Sequence, residues 1–365
     1  MNIITNLQKL VAFPTETGRK TETLSLFSFV RSELADLPLH FTEREYQNFP
    51  ALLITTRDTK TPKIWLYCHV DVVPATTEQY QAIEQNGRLY GRGVFDMKFA
   101  LASYLSLFRE LGESLTDFDL GIMLVSDEEV GGFNGANRLQ QEGFLSKVII
   151  IPDGGDDLRV ETKAKGIWHL TIRAEGRGAH GSRPWEGENA IEQLSDYLTA
   201  LRQAVCHQDK TEKWCRTLST GMITGGQAVN QVPDYAEAKI DIRLISNEEK
   251  TEIEHIFTSL QAEYPRVTVE TDMLGSCVNT DINNHYYQSF VEITESITGV
   301  EHVPVCSYGA SDARFFVSDM PAIITRPTGG GMHGAEEWLD LASFAKFHQI
   351  IMAFVQQNGQ IDVGD

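Results

Sequence analysis

The sequence predicts an α/β fold, a mostly parallel mixed sheet interrupted by an inserted ferredoxin-like α+β module. Three observations carry this. Short apolar runs at 64–68, 119–125, 148–151 and 321–325 alternate with segments of helical period. Polar residues suited to chemistry, His69, Glu128, Glu129 and Asp153, stand just past those runs, at the carboxyl ends of strands where such sheets bind ligands. Between 167 and 272 the order changes to β-α-β-β-α-β.

Residues 5–12 read as a short helix closed by Phe13-Pro14, because a residue before proline is pushed out of the helical region. Leu24, Phe27, Val30, Leu34 and Leu37 recur at spacings of three and four, so 17–37 reads as an amphipathic helix broken by Pro38. Residues 51–56 and 64–68 follow as strands, the second ending in His69-Val70-Asp71. A loop at 72–95 closes in Gly91-Arg92-Gly93-Val94-Phe95-Asp96. Met97, Leu101, Leu105, Phe108 and Leu111 mark a helix with Gly112 as its C-cap. The strand 119–125 runs into Asp127-Glu128-Glu129, and Gly131-Gly132 turn the chain away. A short helix at 132–142 leads to the strand 148–151 and Asp153.

The inserted module has strands at 168–174, 218–223, 235–244 and 267–270 and helices at 189–205 and 248–264. Ala236, Ala238, Ile240, Ile242 and Leu244 share one face of the third strand. Beyond it a helix at 286–298, a strand at 321–325 and a helix at 340–357 resume the first pattern. The predicted division is 1–166 and 273–365 for the catalytic domain, and 167–272 for the insertion.

With 365 residues the chain is long enough for about two domains. A net charge of −20 argues against nucleic acid and anionic membrane surfaces as partners. No apolar stretch has membrane-spanning length and the N-terminus has no signal pattern, so the expected location is cytoplasmic. The five cysteines form no CxxC pair and read as free thiols. Cys68 adjoins His69, but strand alternation points neighbours to opposite faces.

Three consecutive carboxylates at the end of an apolar run repel one another and are expensive to bury without a cation. No Lys or Arg is near them in sequence, and a metal ion would serve. His69, Asp96, Glu129, Asp153 and His333 are the candidate ligands, each at a strand end or in a tight glycine turn. The set suits Zn²⁺, with Mn²⁺ or Co²⁺ as alternatives. Each residue taken alone reads more readily as an ordinary polar residue at a strand end. Asp71, two residues from His69, is placed to accept the second imidazole N–H and fix the tautomer. Arg92 and Lys98 flank the Asp96 turn, and one or the other is expected to hold it through an ion pair, with no catalytic role.

Seven segments in order resemble the M20 family of metallopeptidases and deacylases. They are YCHVDVVP (67–74), GRGVFDMK (91–98), SDEEVGG (126–132), GRGAHGSRPWEGENAI (176–191), GGQAVNQVPDYAEAKIDIR (225–243), YGASDARF (308–315) and GGGMHGAEEW (329–338). The resemblance implies a zinc-peptidase-like catalytic domain with a lid and dimerisation domain at 167–272. It implies that Asp96 bridges two zinc ions, with His69 and Asp153 completing one site and Glu129 and His333 the other. Glu128 is then the general base, with Asp71 beside it in the catalytic set. His180 stabilises the oxyanion, sometimes in the partner subunit's site. Asn230, Arg243, Arg314 and Thr328 are substrate-binding candidates. The implied substrate is a small amide or peptide with a free carboxylate, the implied assembly a homodimer through the lid. An N-acyl amino acid deacylase and a dipeptidase, tripeptidase or carboxypeptidase are both compatible. A non-catalytic carboxylate-binding protein is the remote alternative. Three departures bear on the pocket: Asp153 where deacetylases and desuccinylases tend to use Glu, Val94 where Ser or Thr is common, and Phe99 where Gly is frequent.

Overall fold

The computed structural model describes residues 2–206 and 211–361. It comprises two compact units, one of Met1–Lys163, Asn279–Ser307 and Ser311–Asp365, the other of Ala164–Val278 and Tyr308–Ala310.

The first unit is built on a nine-stranded mixed sheet, six of whose strands lie in the order His40–Tyr46, Phe49–Thr55, Leu120–Val125, Ile64–His69, Val148–Ile151 and Ala322–Ile324. The last four are mutually parallel. The first two form an antiparallel edge. Every residue of Ile64–His69, Leu120–Val125 and Val148–Ile151 is buried, which is why these runs are apolar without alternation. Gly121 is required by its neighbour: a Cβ there would come within 2.2 Å of the Trp65 ring. Helix Lys98–Leu111 is buried from Lys98 to Phe108 and ends at Gly112, whose φ of 53° suits glycine.

Three features depart from the sequence expectation. Strand His40–Tyr46 carries charges along a half-exposed edge and so lacks an apolar period. The segment 72–95 is not structureless. It holds a 3₁₀ turn at Thr77–Tyr80 and two three-residue strands, Ile83–Gln85 and Arg88–Tyr90. These join Gly329–Gly330 and Trp338–Asp340 in a small sheet, so their pairing partners lie near the other end of the chain. The helix expected from 17 is shorter, Lys20–Glu33, and follows Gly18 at φ 87°.

The second unit is an antiparallel sheet in the order Thr217–Gly225, Tyr235–Leu244, Gly166–Glu175, Val267–Gly275. Ala236, Ala238, Ile240, Ile242 and Leu244 are buried on one face, in a core with Leu194, Tyr197, Leu198 and Leu201 of helix Ala190–Val205. Asn189 caps that helix by accepting from the Ile191 and Glu192 amides. Helix Glu249–Glu263 contributes Ile253 to the same core. Among the described residues no helix is long and apolar enough to cross a membrane.

Candidate metal centre

Parallel strands bring the candidate ligands together at one end of the first unit's sheet. His69 is the last residue of its strand and lies opposite Val125, after which the chain enters the 3₁₀ turn Glu128–Val130. Val148–Ile151 leads directly to Asp153. Asp96 stands just before helix Lys98–Leu111.

Asp96 offers one oxygen to each side. Oδ1 is 3.1 Å from His69 Nε2 and Oδ2 is 3.1 Å from His333 Nε2. His333 Nε2 is also 3.0 Å from Glu129 Oε2. Two sets of donor atoms result, His69–Asp96–Asp153 and Asp96–Glu129–His333, each with its atoms within 4.8 Å of one another. Tetrahedral ligands at about 2.0–2.1 Å from an ion are separated by about 3.3 Å. The residues therefore fit two divalent ions sharing Asp96.

The electrostatics agree. Burial, and then the charge of Asp96, pushes the Asp153 carboxyl up to about 8. Burial likewise lifts Glu129 to about 7, and lifts Glu128 well above the carboxylate range with help from Asp153. Burial works to raise Asp96 too, but hydrogen bonds from His333 and His69 overcome it and hold that carboxyl below its ordinary value. A buried group of carboxylates that resists ionising is one that a bound cation satisfies.

Three residues position the candidate ligands. His69 Nδ1 is 3.0 Å from the Asp71 carbonyl oxygen and 3.5 Å from Asp71 Oδ1. The nearer acceptor is thus the backbone, where the side chain was expected. The Asp71 carboxylate instead accepts the backbone N–H groups of Glu128 and Glu129 at 3.3 and 3.2 Å and the Thr17 hydroxyl at 3.1 Å. One residue thereby fixes an imidazole and both glutamates. The second is Glu337. It accepts the N–H groups of Gly93, Phe95 and Asp96 at 3.0, 2.9 and 3.0 Å and the Arg92 guanidinium at 2.7 Å. Glu337 was legible only as a motif letter, since its partners are backbone groups distant in sequence. Arg92, the third, makes the ion pair expected of the turn. Lys98 does not: it donates to the Leu10 and Phe13 carbonyls at 3.3 and 2.7 Å.

Asp127 turns away from the two glutamates and accepts the Asn134 N–H at 2.7 Å. Cys68 Sγ donates to the His69 carbonyl oxygen at 2.9 Å and belongs to neither donor set. The guanidinium of Arg314 is buried, donating to the Ser311 and Gly131 carbonyls at 3.0 and 2.7 Å. Thr328 hydrogen-bonds Ser343 through its N–H and hydroxyl, at 2.8 and 3.1 Å.

The remaining candidates lie in the second unit. His180 is exposed, and its Nδ1 lies 2.8 Å from the Ser182 hydroxyl and 3.2 Å from the Ser182 backbone nitrogen. Asn230 is exposed, and its backbone carbonyl accepts the Gly181 N–H at 2.7 Å. Arg243 grips Asp241 with two bonds of 2.8 and 3.0 Å.

Comparison with known proteins extends the resemblance. A succinyl-diaminopimelate desuccinylase of Acidiphilium cryptum is 24% identical over 325 residues, spanning 82% of this chain and 84% of the relative. A probable carboxypeptidase of Paracoccidioides lutzii is 26% identical over 329 residues, spanning 81% and 71%. Among solved structures, a tripeptidase from Staphylococcus aureus superposes with a TM-score of 0.81 at 20% identity, covering 97% of each chain. An M20 family metallo-carboxypeptidase from Sulfolobus solfataricus gives 0.78 at 15% identity, covering 98% and 99%. At these identities the structural likeness speaks for the fold. The sequence profile described as peptidase family M20/M25/M40 matches residues 65–357, and the chain belongs to that family.

Proposed function

We propose that this chain is a two-metal hydrolase that cleaves an amide bond beside a free carboxylate, in an N-acyl amino acid or a short peptide. Family membership and the two donor sets support a metal-dependent hydrolase acting on small acyl or peptide substrates. The observation that carries the reading is Asp96, each of whose oxygens faces a different histidine. The ions are Zn²⁺, with Co²⁺ or Mn²⁺ as alternatives. When bound they supply an acidified water and polarise the scissile carbonyl.

The chain's residues do the rest. Glu128 adjoins the ligand Glu129 yet belongs to neither donor set, and its raised affinity for a proton suits a group that takes one from water and returns it to the leaving nitrogen. Asp71 holds both glutamate amides and so separates the two roles. His180 is proposed to stabilise the oxyanion, and Arg243 and Asn230 to hold the substrate carboxylate. The β-α-β-β-α-β order of the second unit supports a ferredoxin-like domain. Its outer strand Thr217–Gly225 leaves Met222 and Ile223 exposed, which supports a two-fold interface there, testable by light scattering.

Relatives include both a desuccinylase and a probable carboxypeptidase, so deacylase and peptidase activity are tested side by side. Elemental analysis should find about two divalent ions per chain. Panels of N-acetyl, N-succinyl, dipeptide and tripeptide substrates should show metal-dependent hydrolysis of one class, abolished by chelation. Full activity in metal-free enzyme would sink the reading.

A further inference from the structure

Arg326 meets the surroundings of three proposed ligands at once. Strand Ala322–Ile324 runs parallel to Val148–Ile151, with Ile324 opposite Ile151. Two residues past that pair, just beyond the ends of the two strands, stand Arg326 and Asp153, so the sheet starts both segments from the same level. Arg326 Nε donates to the Gly155 carbonyl, in the loop that carries Asp153, at 3.2 Å. Its Nη1 reaches Sδ of Met332, the residue before His333, at 3.0 Å. Its guanidinium carbon lies 4.7 Å from the ring centroid of Phe95, the residue before Asp96.

We infer that Arg326 is a positioning residue that locks the Asp96, Asp153 and His333 loops in mutual register and so sets the spacing of the two ion sites; this rests on the two-metal reading above. The planar guanidinium is suited to the task. It can donate in its plane to two loops while stacking its face on an aromatic ring of the third, which a lysine ammonium cannot do. The His333 loop has most need of it, since His333 itself adopts φ 60° among glycines.

Charge alone makes the opposite prediction. A cation beside an ion site repels the ion, so removing it would tighten metal binding. The experiment is Zn²⁺ titration of metal-stripped, full-length protein by competition with a chelating dye. Arg326→Met should weaken the looser of the two sites by about 10–100-fold, the usual effect of losing a group that orients ligands. Arg326→Lys should not restore it. Met332→Leu, which keeps the guanidinium and removes only the sulfur contact, should give a smaller loss confined to the looser site. Unchanged or tighter binding in Arg326→Met overturns the inference, as does unchanged binding with a raised KM, which would mark a substrate contact. If circular dichroism shows Arg326→Met unfolded, Met332→Leu and Phe95→Leu decide, and unchanged affinity in both overturns it. Wild-type protein that binds fewer than two ions overturns both readings; unaffected variants beside a two-ion wild type overturn this one alone.

Discussion

The two halves of the candidate metal centre share Asp96 and differ in nearly everything else. In one half, His69 and Asp153 leave the ends of paired parallel strands, and the His69 side chain is 0% exposed. In the other, Glu129 sits in a three-residue 3₁₀ turn and His333 in a glycine-rich loop, its side chain 55% exposed. The donors are chemically similar. What differs is how they are held. Sheet register fixes the first half, because moving His69 means moving a central strand. The second leans on side chains reaching across loops, Asp71 on the glutamate amides and Arg326 near His333, although Asp71 also meets His69, Arg326 also meets the Asp153 loop and Glu337 serves the shared Asp96 turn. An ion in the first half is expected to be the slower to leave, because the His69 side chain is sealed from solvent while that of His333 is half exposed.

The largest expected effect tests whether the neighbouring glutamates divide their work as this contrast implies. Glu128→Gln keeps size and hydrogen bonding but removes the proton acceptor. It should lower kcat by at least about 10²-fold, the lower end for general base catalysis, with KM and metal content little changed. Glu129→Gln should instead loosen the exposed half's ion, and excess metal should partly restore activity. If activity and metal content fall together in both variants, Glu128 is a ligand and the base lies elsewhere.

The same contrast governs how much the sequence discloses. The first half is legible because a buried parallel strand writes itself as an unbroken apolar run, and the polar residue that ends it stands out, as His69 and Asp153 do. His333 and Asp96 were found through glycine turns and family resemblance, without a periodic signal. The supports were harder. Glu337 works through backbone amides distant in sequence, and nothing in its neighbours announces that. Asp71 was expected to orient His69 by its carboxylate, yet its carbonyl is nearer and the carboxylate serves the glutamates. Arg314 was a candidate for substrate, but its guanidinium is buried on two carbonyls, a fact of packing that composition cannot carry. The edge strand His40–Tyr46 escaped because charged, half-exposed strands have no apolar period.

A smaller effect concerns stability without metal. Asp153 and Glu129, held at about 8 and about 7, are raised above their unfolded values near about 4. The folded protein therefore binds more protons than the unfolded chain between those limits, and stability falls as pH rises through them. His69 and His333 act with the same sign. Burial works to lower His69, but hydrogen bonds to Asp71 and Asp96 raise it; His333 is raised first by its bond to Asp96. Both stabilise while protonated, and that stability is lost above their folded values. Metal-stripped protein should lose Tm from pH 5 to pH 8 in scanning calorimetry, and two equivalents of Zn²⁺ should reverse the loss at the upper end. A metal-free Tm that climbs across this window would contradict the assignment.

The smallest expected effect is kinetic and bears directly on that difference in exposure. Protein loaded with two ions and mixed with an excess of chelating dye should release them in two phases. The faster phase belongs to the exposed half, where water and chelator can reach His333 before any strand moves. The slower waits on displacement of His69 and Asp153 from the strand ends. Glu129→Gln should speed only the faster phase, since it removes a charged ligand from that half. Asp71→Asn should also act mainly on the faster phase, because it leaves the backbone carbonyl that meets His69 intact and weakens only the carboxylate that holds the Glu129 amide. Release in one phase, with a rate that Glu129→Gln does not change, would mean that the halves behave as a single site and that burial of His69 confers no separate retention.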